Sequence, residues 1–138
     1  MKRDWDLLRK QLTDIEEERD LLADFPDEPK YETQTWEEYE QQLKEFKTIE
    51  NRLGGHLELL VENGYIDGLQ VIRSLDGGLH FGVSNPRLTM AGHDLLDTMR
   101  SSTVWDSIKT TAKDKGIELT FDSIKALGTY ALSKLLGS

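Results

Sequence analysis

Apolar positions near the start of the chain recur at helical intervals. Trp5, Leu8, Leu12, Ile15 and Leu22 are separated by three, four, three and seven residues, which predicts one amphipathic helix over about residues 3 to 22. Asp24-Phe25-Pro26-Asp27-Glu28-Pro29-Lys30 follows, with two of the three prolines. Proline lacks the amide donor and clashes with the preceding turn, so this stretch predicts a linker or surface loop. Thr35 with Glu38 then makes a capping-box pattern. Trp36, Tyr39, Leu43 and Phe46 place a second helix at about 36 to 47, and Leu53, Leu57, Leu60 and Val61 a third at about 50 to 63. Gly54-Gly55 lies inside the third stretch, where each glycine costs up to about 1 kcal/mol relative to alanine. The pair therefore marks either a break between helices or a close approach by another part of the chain. Asn63-Gly64 supplies a left-handed stop.

From Ile66 the period changes to two. Leu69, Val71 and Arg73 alternate with Gln70, Ile72 and Ser74, and Leu79 to Val83 alternate again beyond Asp76-Gly77-Gly78, which reads as a β-hairpin over 66 to 83. Three helices follow. Thr89 caps one that runs to about Met99, with Ala91, Leu95, Leu96 and Met99 on its inner side. Thr103 opens another, ended by Gly116, and Thr120 opens the last, with Phe121, Ile124, Leu127, Leu132 and Leu135 as its apolar face. The fold class is α+β and mostly helical. Three helices, a hairpin and a further helix is the order of a winged helix-turn-helix core, in which the third helix can enter a DNA groove and the hairpin forms the wing. The expected domains are 1–101, a winged-helix-like body with an acidic insertion at about 24–48, and 102–138, a helical extension packed on it or used for oligomerisation.

Three blocks of the chain are familiar together. The run Leu88-Thr89-Met90-Ala91-Gly92-His93-Asp94-Leu95-Leu96-Asp97-Thr98-Met99-Arg100, followed by Thr103-Val104-Trp105, resembles a family of small, often phage- or prophage-encoded proteins catalogued only as a domain of unknown function. So do the opening Met1-Lys2-Arg3-Asp4 with Asp6-Leu7-Leu8-Arg9-Lys10, and His56-Leu57-Glu58-Leu59-Leu60-Val61-Glu62-Asn63-Gly64-Tyr65-Ile66. The acidic, aromatic stretch between Phe25 and Thr48 departs from the short connection expected there. The resemblance implies a winged-helix fold and a mobile-element origin, with no established activity to carry over.

Composition narrows the chemistry. The 138 residues include no cysteine, which excludes disulfides, thiolate metal sites and thiol nucleophiles. The charged start is unlike a signal peptide and no 18-residue apolar run exists, so a cytoplasmic protein without membrane contact is expected. His56, His80 and His93 fall in separate elements without metal-ligand spacing. No serine lies in a nucleophile elbow, and Asp76-Gly77-Gly78 lacks the lysine of a phosphate loop. Neither catalysis nor a metal or other cofactor is expected.

Net charge is −9, from 17 Lys+Arg and 26 Asp+Glu, and residues 1–50 hold 16 of the acidic side chains against eight basic ones. Two readings of function follow. In the first, the chain binds double-stranded DNA as a phage or bacterial regulator. Asn51, Arg52, Gly55 and His56 are then the contacts at the start of the third helix, with Arg73 and Arg87 in or beside the wing. Those are the only arginines between residues 20 and 99, and Glu50, Glu58 and Glu62 on the same helix oppose phosphate. In the second, the scaffold serves as a protein-interaction or assembly module. Tyr31, Trp36, Tyr39 and Phe46 then meet a host or phage protein, or a second copy in a homodimer.

Overall fold

Asp4 opens the first helix by accepting the Leu7 N–H at 3.1 Å, and Trp5, Leu8, Leu12 and Ile15 are buried along one stripe. In the computed structural model, which describes residues 1–137, this helix (α1) spans Trp5–Glu16. It stops short of the expected residue 22. Glu18 takes a left-handed conformation, with φ at 58°. The Glu18 N–H donates to Ile15 O at 3.1 Å and the Arg19 N–H to Asp14 O at 2.8 Å. These are the two bonds of a Schellman terminus, built with glutamate where glycine is usual.

Residues 17–35 return over the surface. Lys10 Nζ ties them down by bridging Asp14 at 2.7 Å and Asp24 at 2.6 Å. Together these two carboxylates raise the Lys10 ammonium pKa, Asp14 contributing most. Phe25 sets its ring edge-on to Phe81, with centroids 5.1 Å apart.

The expected second and third helices are one. α2 runs unbroken over Trp36–Glu62, opened by the Thr35/Glu38 capping box. Thr48 does not interrupt it, because its hydroxyl donates back to Lys44 O at 2.9 Å. Gly54-Gly55 are a close approach rather than a break. A Cβ on Gly54 would collide with Leu79 Cδ1 and press on Phe81, and one on Gly55 would meet Met1 Sδ. Hairpin and N-terminal side chains seated in that notch offset the helix cost of two glycines. Two helices therefore precede the hairpin, not three, and no turn separates two helices there.

After Gly64, the hairpin pairs β1 (Ile66–Arg73) with β2 (Leu79–Leu88) antiparallel, and Val71 faces Phe81. The Ser74 N–H donates to Gly78 O at 2.9 Å, and the Asp76 carboxylate takes the Gly78 N–H and the Ser74 hydroxyl. Both bonds hold the Asp76 pKa below the usual carboxylate range. Near the strand bases the ladder is irregular. Gly68 has φ at 80°, and a Cβ there would lie 2.5 Å from the carbonyl oxygens of Ser84 and Asn85.

The chain divides into two compact units, one ending at Leu88 and the other beginning at Thr89. The boundary thus falls ahead of the expected residue 101. α3 (Met90–Arg100) groups with α4 (Ser102–Lys115) and α5 (Phe121–Leu135). Leu95, Leu96, Met99, Trp105, Ile108 and Ile124 are fully or almost fully buried there. Three expected core positions differ: Ala91, Leu132 and Leu135 are exposed. α5 instead buries Gly128 and Ala131, because at Gly128 the helix sits directly on Thr98. Among the described residues, no helix is long and apolar enough to cross a membrane.

Candidate interaction surface

No residue of α2 from Trp36 through Leu53 is buried. The first two-thirds of the helix is an arm, and three of the four aromatic side chains expected to meet a partner converge at its start. Tyr31 and Trp36 have ring centroids 5.7 Å apart, Tyr31 and Tyr39 5.4 Å, and Trp36 and Tyr39 5.5 Å, all edge-on or tilted. Edge-to-face contacts of this kind favour the trio as a unit.

A clamp absent from the sequence reading holds it. Gln34 accepts the Glu32 N–H at 2.8 Å, and its amide donates to Lys30 O at 2.8 Å and to Gln42 Oε1 at 3.0 Å. That lays the loop bearing Tyr31 along the first turns of α2. Trp36 Nε1 donates to Glu40 at 2.6 Å. Tyr31 and Trp36 nevertheless remain 56% and 58% exposed. Glu32, Glu37, Glu38 and Glu40 are exposed around them. The rings pack against one another, so they do not form an open cage for a cation between them. What they present is an apolar knob with an acidic rim.

Phe46 lies apart, half-buried in a groove of about 240 Å³ that it lines with Glu28, Lys47, Glu50, Asp76, Leu79 and His80. Among the described residues, no group of three or more His, Asp or Glu side chains could hold a metal ion.

The residues expected to read DNA are placed differently. His56 is fully buried and corrects that expectation. Its Nε2 accepts the Asp4 N–H at 2.8 Å, and its Nδ1 lies 2.6 Å from Arg52 O. Nε2 must be the bare nitrogen to accept, so Nδ1 carries the proton and donates to Arg52 O. The ring fastens the start of α1 to α2 and cannot reach a base.

Asn51 is exposed, and Gly55 is buried beneath Met1. The three arginines each meet a carboxylate of this chain: Arg52 with Asp4, Arg73 with Glu58 at 2.8 Å, and Arg87 with Asp67 at 2.5 Å. Arg73 grips Glu58 through Nε as well, and that contact raises its guanidinium pKa further. The Asp4 carboxyl is held below the usual range, chiefly by the Leu7 N–H and then by Arg52.

Comparison with known proteins adds kinship without activity. A protein of Haemophilus influenzae (strain ATCC 51907 / DSM 11121 / KW20 / Rd), described as "Uncharacterized protein", is 30% identical over 138 residues, which is 99% of each chain. No solved structure matches. The family described as "Hypothetical protein (DUF2513)" matches over residues 2–118, taking in every element except α5, and the chain belongs to that family.

Proposed function

We propose that this chain is a non-catalytic protein-interaction or assembly module, with the Tyr31–Trp36–Tyr39 knob as its docking surface. One observation carries the reading: two large aromatic side chains stand more than half exposed at the start of an arm none of whose residues is buried. Large exposed aromatics rimmed by polar groups are a mark of protein interfaces, where their rings supply most of the binding energy. A glutamine clamp fixes the loop that carries Tyr31 against α2.

A second reading, a DNA-binding winged-helix regulator of phage or prophage origin, keeps the hairpin as the wing. In its favour, Arg52, Arg73 and Arg87 have side chains 51–61% exposed, so a phosphate can compete for each. Against it, each of these arginines must give up an internal carboxylate before it neutralises a phosphate.

Affinity capture from bacterial lysate, with and without nuclease, separates the two. Capture that survives nuclease and is lost with Trp36→Ala is the expected result. Capture abolished by nuclease and indifferent to Trp36→Ala overturns the interaction reading in favour of DNA.

A further inference from the structure

The interaction reading leaves the occupant of the α2 arm open, and the arm's own charges, taken together with that reading, identify one. Glu37, Glu40, Lys44 and Lys47 recur at intervals of three, four and three residues, so they form a single stripe along the helix. All four are exposed. Among the described residues none of them joins an ion pair, although Glu40 and Lys44 have the spacing that usually makes one. The Glu40 carboxylate is instead turned to Trp36 Nε1. The stripe is therefore acidic toward the tip of the arm, basic toward the body, and, among the described residues, without a salt bridge along its length.

Such a stripe is complementary to its own reverse. When two copies of one helix pack antiparallel across a two-fold axis, positions equally far from the axis on either side face each other. Glu37 and Lys47 are symmetric about Gln42, and so are Glu40 and Lys44. One axis thus satisfies both pairs, twice over. A parallel arrangement sets glutamate against glutamate and lysine against lysine.

We propose that the occupant is a second copy of this chain, its α2 arm packed antiparallel on the first along this stripe, about a two-fold axis level with Gln42 along the helix. Exposed ion pairs contribute little stability individually and serve mainly to fix orientation and register. Association energy comes from the exposed rings of Trp36 and Tyr31, which lie at both ends of the paired arms, with Trp36 about 9 Å from the axis. An interface of this extent belongs to the small, reversible class.

Sedimentation equilibrium on the full chain, from about 1 to about 300 µM, suits an interface of that class. The expected result is a monomer–dimer equilibrium in which Lys44→Glu and Glu40→Lys each raise the dissociation constant about tenfold or more. Combining them reverses both charges, and the constant returns to within about threefold of the original. Thermal melts of each variant confirm that the exposed changes leave the fold intact. A monomer at every concentration overturns the proposal. So does a dimer indifferent to Lys44→Glu, or a double variant no tighter than the single ones. A monomeric chain that still captures other proteins through Trp36 retains the interaction reading while removing the second copy as occupant.

Discussion

At Gly68 and Glu18 the backbone makes opposite demands on the side chain. Gly68 is left-handed, and a Cβ would press on two backbone carbonyl oxygens. Gly68→Ala is therefore expected to cost about 2–4 kcal/mol, combining left-handed strain with overpacking, and urea denaturation measures it. Glu18 adopts a similar conformation with a full side chain, at a strain of about 1–2 kcal/mol. Glu18→Gly relieves that strain and gives back about half in chain entropy, so a gain of about 0.5–1 kcal/mol is expected in the same assay. The acidic run Glu16-Glu17-Glu18 carries no sign of a helix end, and the expected helix consequently overran by more than a turn. At Gly64 and Gly116 the stop was legible, because there the residue type matches the geometry.

Among the elements, the hairpin, the Thr35 cap and the three C-terminal helices were legible because each is specified within a few residues. The unity of α2 was not. Two glycines read as a break, and what compensates them, Leu79 and Phe81, arrives from a strand that local pattern cannot place against them. The exposure of Tyr31 and Trp36 after a loop was legible in kind, but the packing of their rings with Tyr39 depends on the Gln34–Gln42 clamp, which no motif announces. His56 was misassigned for a similar reason: its partner, the Asp4 amide, belongs to another helix. Replacing His56 with alanine leaves that amide without an acceptor and opens a cavity, with an expected cost of roughly 2–5 kcal/mol by chemical denaturation. The same junction responds to acid. Because the folded state holds the Asp4 carboxyl below its usual range, the ionised cap adds stability at pH values above about 4, and this is lost as pH falls through the lower folded value. Thermal melts across pH 2–5 are expected to show a smaller acid loss for Asp4→Asn, whose amide oxygen caps without titrating.

For the whole molecule, charge is divided as sharply as structure. Residues 1–88 carry 11 basic and 20 acidic side chains, whereas residues 89–138 carry six of each, so the first unit holds the entire net charge. Self-repulsion weakens a compact body of one sign, and salt screens it. Raising salt from about 0.01 to about 0.5 M is expected to lift the urea midpoint reported by Trp5 in the first unit. The midpoint reported by Trp105 in the second should change less, with single-tryptophan variants providing the readout. An equal shift at both tryptophans contradicts the division. Time divides the molecule too. The bond from the Asp4 amide to the His56 ring joins positions 52 residues apart. At the usual rate of synthesis, roughly 3–10 s separate the appearance of the two on the ribosome. α1 thus waits for α2 before it is fastened. For that interval Trp5, Leu8, Leu12 and Ile15 have no finished surface to cover, and the newborn chain passes through a phase in which this apolar stripe is open to chaperones.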